Sequence, residues 1–335
     1  YGAAFDGKAG RTVKVREGLY SLELWHGPTC AFKDYALQLM PKLLVEAKKM
    51  LGRTETTRIL VATSGDTGKA ALAGYADLDG IEIEVFYPND GTSEIQHLQM
   101  ATQKGGNVQV YAVQGNFDDA QTGVKKVFAD AAVAAELEKR GIRLSSANSI
   151  NWGRLVPQIV YYFYAYFRLA EQGAVAWGDK VDFCVPTGNF GDILAGYYAK
   201  QMGLPVGKLV CASNKNNVLT DFLTTGTYDA RRTFYKTTSP SMDILISSNL
   251  ERLLCHVSGS SEKVAGWMQE LNTTGKYTVD AETLEKIRET FAAGYADDAE
   301  GAAEIKARFE EDHYLCDTHT AVAFRVAETV RTEAP

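Results

Sequence analysis

From Arg58 onward, short apolar runs alternate with longer stretches whose apolar residues recur every three or four positions, and this alternation constrains the fold more than any other feature. A strand covered on both faces reads as an unbroken apolar run, and the crossover to a parallel neighbour needs a helix. The pattern therefore predicts an α/β chain built on parallel sheet. Strands are expected over residues 59–63, 81–87, 108–113, 181–185 and 209–212. Ser93 and Gln96 form a capping-box pattern that opens the helix between the second and third of these. One long helix is expected over 117–139, and a strongly aromatic one over 155–170. The sequence beyond 212 reads as mostly helical, including 279–293 and 303–311, with 297–303 as a small polar loop. Upstream, Leu37, Met40, Leu44, Ala47 and Leu51 repeat at helical spacing, with Pro41 expected to kink or break that helix just after Lys33.

A chain of 335 residues, 45% of them apolar, is long enough for about two domains. A net charge of -7 without any Lys/Arg-rich tract disfavours nucleic acid and anionic membranes as partners. The longest apolar stretch, 158–170, is too short for a bilayer and rich in tyrosine, so a buried helix is expected, and no signal peptide is apparent. Five scattered cysteines without a Cys-x-x-Cys pair fit a reducing cytoplasm. The histidines show no metal spacing, Asp317-Thr318-His319 has no partner cluster, and no metal is assigned. The sequence opens on Tyr1 rather than Met and closes on Ala334-Pro335, so both natural termini are expected to lie outside it.

Three turns could seat an anion, because each would aim backbone N–H groups from the start of a helix. In Ser64-Gly65-Asp66-Thr67-Gly68, hydroxyls suit a carboxylate or phosphate, while a plain strand-to-helix turn capped by Ser64 or Asp66 explains the same residues. In Thr187-Gly188-Asn189-Phe190-Gly191-Asp192, two glycines allow close approach to a phosphate; the alternative is a glycine turn without ligand. No Lys-Ser/Thr follows, and the G-x-G-x-x-G of dinucleotide folds is absent, which weakens a nucleotide or nicotinamide reading. In the third, Asn148, Ser149, Asn151 and Arg154 gather before a helix, where Arg154 could grip a phosphate or be a solvated turn residue. Lys33 at a helix start is either a surface lysine or, drawn in by the apolar residues before it, a desolvated amine able to form a Schiff base.

The ordered combination decides among these. Leu22 through Thr29 and Phe32-Lys33-Asp34, then the blocks at 62–68, 115–121, 146–151, 186–192, 238–244 and 247–252, together resemble bacterial and fungal threonine synthases over nearly the whole chain. The resemblance implies the two-domain, three-layer α/β fold of the tryptophan synthase β-subunit-like enzymes, with pyridoxal 5'-phosphate as cofactor. It implies a smaller mobile domain over 34–150 and a larger cofactor-binding domain from 1–33 and 151–335. Carried over residue by residue, Lys33 matches the Schiff-base lysine, and Gly188, Asn189, Phe190 and Gly191 match the loop holding the cofactor phosphate, with Asp192 adjacent. Asp66 matches the position near the ring hydroxyl. Ser64 and Thr67 match binders of the substrate carboxylate, and Asn148, Ser149 and Arg154, with Asn151 adjacent, those that grip the substrate phosphate. The implied activity is a phosphate-eliminating lyase acting on a small phospho-amino acid; the oligomeric state is left open. Rival expectations are a threonine-synthase-like phospho-lyase, a dehydratase lacking use for the phosphate grip, and a non-catalytic relative. The last is suggested by a departure: the family's Thr-Ala-His-Pro-like block, whose hydroxyl meets the pyridine nitrogen, does not occur here, and its N-terminal segment is largely absent.

Overall fold

The computed structural model describes residues 2–7, 9–63, 65–89 and 92–330. In chain order its strands are β1 (Arg11–Arg16), β2 (Leu19–Glu23), β3 (Thr56–Ala62), β4 (Ile81–Pro88), β5 (Val108–Val113), β6 (Ile142–Ser146), β7 (Val181–Pro186), β8 (Val206–Ser213), β9 (Thr227–Asp229), β10 (Lys276–Thr278) and β11 (Phe291–Tyr295). The chain divides into two compact units, one holding the residues up to Arg11 with Glu23–Val160, the other Thr12–Leu22 with everything from Tyr161.

The first unit is built on a parallel sheet of order β5-β4-β3-β6. Successive strand residues face opposite sides. Ile59 and Val61 accordingly join a core with Ala70, Leu72 and Tyr75 of the helix Asp66–Tyr75, whereas Leu60 and Ala62 pack with Ala120 and Val124 of the helix Phe117–Ala129. Helices thus cover both faces, giving three layers.

The second unit centres on a parallel sheet of order β11-β8-β7. Val210 and Ala212 pack against Val322, Ala323 and Val326 of the helix Thr318–Thr329. On the helix Gly191–Gln201, a side chain at Gly196 would run into Tyr162 and Leu209, so glycine lets this helix lie close to both the aromatic helix and β8.

Several elements differ from the sequence expectation for identifiable reasons. The helix expected over 117–139 is two, because Asp130 takes an extended conformation and caps the helix Ala131–Lys139 through the N–H groups of Ala132 and Val133. The aromatic segment is a short helix Trp152–Leu155, a 3-10 turn at Pro157 and a helix Ile159–Glu171, as the missing N–H of proline requires a break in the ladder. Pro41 sits in the first turn of the helix Met40–Met50, separated from a short helix Asp34–Leu37. The helix expected over 279–293 stops at Thr290, and Phe291–Tyr295 becomes an edge strand of the second sheet. The polar stretch at 297–303 is no loop: Asp297 and Glu300 form a capping box that opens the helix Asp298–Asp312.

Candidate active site

In the first unit the residues around Lys33 fold into a tight clamp. Asp34, fully buried, accepts the Thr29 backbone N–H at 2.8 Å and its hydroxyl at 2.7 Å. A side chain at Gly27 would strike the Asp34 carboxylate, 2.6 Å away, so the loop closes only around glycine. Burial pushes the Asp34 carboxyl above its usual range, an effect the Thr29 donors oppose. Lys33 occupies the N-cap position of Asp34–Leu37, and its side chain is only 13% exposed, which rules out the surface-lysine alternative.

The Lys33 amine lies 3.2 Å from Asp66 Oδ2 and 4.5 Å from the centre of the Phe32 ring. Lys69 Nζ approaches the other Asp66 oxygen at 3.2 Å, and Gln96 Nε2 donates to that same oxygen at 2.8 Å. Burial is the main cause that lowers the Lys33 pKa below its ordinary value; the positive charges of Arg154 and Lys69 act in the same direction, and Asp66 opposes them. The arrangement holds an amine whose pKa burial lowers beside the Asp66 carboxylate.

The turn carrying Asp66 is capped differently from the sequence expectation. Neither Asp66 nor any described side chain caps the helix from its N-cap position, Gly65. Instead the buried Thr63 hydroxyl accepts the N–H groups of Gly65, at 2.9 Å, and Gly68, at 3.0 Å. Those amides are committed within the turn. Thr67 is half-buried on the helix's first turn, and Ser64 lies outside the described residues.

The third turn is also in this unit. Asn148 donates to the Ala62 carbonyl at 3.1 Å, tying the turn to the end of β3. Asn151 is the N-cap of the helix Trp152–Leu155, accepting from Gly153 N at 2.9 Å and donating to the Ser146 carbonyl at 2.9 Å, while Ser149 lies half-buried between them. Arg154 is 3% exposed and donates to the Ala147 carbonyl at 2.6 Å, so the solvated-arginine alternative fails.

The second unit presents the turn after β7. Phe190 takes a left-handed conformation, φ 63°, and its side chain makes no capping bond to the helix Gly191–Gln201 that follows. The turn is braced from behind: Ser247 Oγ donates to the Gly188 carbonyl at 2.8 Å, and Asn249 donates to the Asn189 carbonyl through its backbone at 3.1 Å and its side chain at 3.0 Å. A side chain at Gly188 would come within 2.9 Å of the Ser241 carbonyl. Ser241 N in turn donates to His319 Nε2 at 3.2 Å, and the neighbouring Asp243 accepts from Asn214, Asn216 and Thr237. Asp192 faces the aromatic helix, accepting the hydroxyls of Tyr161 and Tyr162 at 2.7 and 2.8 Å. A glycine approach and the start of an 11-residue helix suit a phosphate monoester. A buried lysine whose pKa burial lowers suits its aldehyde, so the residue types present in the two units fit pyridoxal phosphate.

Sequence reasoning did not find Thr63, Lys69 or Gln96, nor the bracing by Ser247, Asn249 and the 240–243 segment. Lys69 stands three residues after Asp66, the helical spacing that brings side chains together, and Gln96 reads in the sequence only as a capping residue.

The family model described as pyridoxal-phosphate dependent enzyme matches residues 9–334. The chain belongs to that family. Among its relatives, human threonine synthase-like 1 is 43% identical over 93% of this chain and 43% of its own length. Threonine synthase of Pseudomonas aeruginosa is 42% identical over 92% of this chain and 64% of its own. The crystal structure of pyridoxal-phosphate-bound threonine synthase from Brucella melitensis superposes with a TM-score of 0.90 at 41% identity, covering 99% of this chain and 70% of that one. The fold is therefore that of threonine synthase, and the chain spans less than two thirds of the curated relatives' length.

Proposed function

We propose that the chain carries the chemistry of a threonine synthase, converting O-phospho-L-homoserine and water into L-threonine and phosphate. The observation that carries this reading is the buried Lys33 amine, 3.2 Å from Asp66 and flanked by Lys69 and Arg154 in charge. When bound, pyridoxal phosphate supplies an electron sink for charge developing at the substrate Cα. Lys33 would hold the cofactor through its aldehyde, and its amine would move a proton at the substrate Cα and then at Cβ. Asp66, 3.2 Å from that amine, would orient it and is the residue proposed to face the cofactor's hydroxyl. The amides of Gly188, Asn189, Phe190 and Gly191 would hold the cofactor phosphate, with Asp192 fixing the helix behind them to Tyr161 and Tyr162.

Ser64 and Thr67 are proposed to take the substrate carboxylate, and Asn148, Ser149, Asn151 and Arg154 its phosphate. A buried guanidinium fits a leaving phosphate, where preorganised charge contributes several kcal/mol. The catalytic division is proposed to follow 34–150 against 1–33 with 151–335. Five free cysteines fit a cytoplasmic setting. Among the described residues no helix is long and apolar enough to cross a membrane.

The test is borohydride fixation of the cofactor in wild type and Lys33→Ala, with threonine and phosphate assayed together. Fixation at Lys33 and equal yields of both products are expected; fixation surviving in Lys33→Ala would remove the assigned lysine. A second reading is favoured by the comparable identity to threonine synthase-like 1: a phospho-lyase acting on a related phospho-amino acid. It would release phosphate with a keto acid and no threonine.

A further inference from the structure

Gln96 has one carbonyl and one NH2 end, and both are engaged. Its Oε1 accepts the Ser93 backbone N–H at 3.3 Å in the capping box of the helix Glu94–Ala101, while Nε2 donates to Asp66 Oδ1 at 2.8 Å. The box fixes which end faces which way, because only the carbonyl can accept from Ser93. Gly65 has φ 146°, and a side chain there would collide with the Gln96 amide, so the glutamine lies directly against the turn. With Gln96 and Lys69 both on Oδ1, the second oxygen of Asp66 is turned to Lys33.

We infer that Gln96 is a positioning residue for Lys33, acting through the Asp66 carboxylate. The inference rests on the reading of Lys33 as the cofactor-bearing lysine. Among the described residues, Asp66, Arg154 and Lys69 are charged groups facing the Lys33 amine, and Lys33, Lys69 and the neutral donor Gln96 are among the groups that face Asp66. A neutral donor holds the carboxylate without adding charge. A carboxylate in the same place would stabilise the protonated amine and delay its release.

Gln96→Glu tests this cleanly, since Ser-x-x-Glu preserves the capping box. Lysine amines of the cofactor-free protein are acetylated competitively across pH and Lys33 is followed by peptide mass spectrometry; pyridoxal 5'-phosphate capture is then followed across the same range. Both midpoints are expected about one pH unit higher in Gln96→Glu. A purely structural glutamine would leave the midpoints where they are, and coincident profiles overturn the inference. Should Gln96→Glu fail to fold, Gln96→Met removes the donor without adding charge, and an unchanged acetylation midpoint there also overturns it. Cofactor fixation in Lys33→Ala would strike the parent reading alone, because the acetylation midpoint reports the coupling whatever Lys33 carries.

Discussion

Two glycine turns join a strand to a helix, one in each unit, and they handle their backbone donors in opposite ways. After β3, the Thr63 hydroxyl takes up the amides of Gly65 and Gly68, and the turn presents a side chain, Asp66, to a lysine. After β7, the N-cap residue Phe190 makes no side-chain cap to the helix Gly191–Gln201, and the side chains of Ser247 and Asn249 hold the turn's carbonyls from behind. The first turn thus presents a charged side chain, and the second presents its backbone, held from behind. Two sequence patterns that look alike therefore differ in what disturbs them: charge changes at the first, changes of shape at the second.

Asp243→Ala is expected to have the largest effect. It leaves the donors of the buried Asn214 and Asn216, and those of Thr237, without their shared acceptor behind the second turn. A loss of about 3 kcal/mol is expected in chemical denaturation, with weakened pyridoxal phosphate binding and no change in the Lys33 acetylation midpoint. Gly188→Ala presses a methyl against the Ser241 carbonyl and should cost about 2 kcal/mol, again sparing Lys33. A shifted Lys33 midpoint in either variant would break the separation.

Asp66→Asn acts on the other side of the comparison. Lys33 has a folded pKa below its unfolded one, so between the two the unfolded state binds more protons, and stability rises with pH through that window. Asp66 is the group that opposes this lowering. Its neutralisation should move the acetylation midpoint of Lys33 down by about one pH unit, opposite in sign to Gln96→Glu, and leave inorganic phosphate binding unaltered. A midpoint that stays put or rises would mean that the carboxylate does not govern the amine.

How far the sequence discloses these sites follows from the range of the forces involved. An apolar run marks β3, which is covered on both faces, whereas β4 is marked by alternation at period two and the edge strand β5 leaves Gln109 and Tyr111 exposed. Phe291–Tyr295 escapes, being an Ala/Gly-rich edge strand directly continuing a helix, with no turn residue to announce the change. Asp130 and Pro157 break helices whose apolar spacing continues across the break, since periodicity reports the buried face and not the hydrogen-bond ladder. The Ser93/Gln96 box is legible as local chemistry, yet its second bond reaches 30 residues back to Asp66, and nothing in spacing carries such a contact. The same holds for Ser247 and Asn249, 59 and 60 residues from the carbonyls they hold. Family resemblance brings those blocks to notice without their mechanical task.

The smallest effect bears most directly on why the two turns differ. Thr63→Val keeps the shape of a 2% exposed side chain and removes the hydroxyl that accepts from Gly65 and Gly68. A helix cap of this kind contributes about 1 kcal/mol, and that loss is expected in denaturation. The freed amides would then resemble those at the start of the helix Gly191–Gln201, so the first turn should gain a taste for anions. Added sulfate should therefore raise the melting temperature of Thr63→Val more than that of wild type, because binding to the folded state alone stabilises it by mass action. Equal sulfate responses would show that capture of amides by Thr63 does not separate the turns.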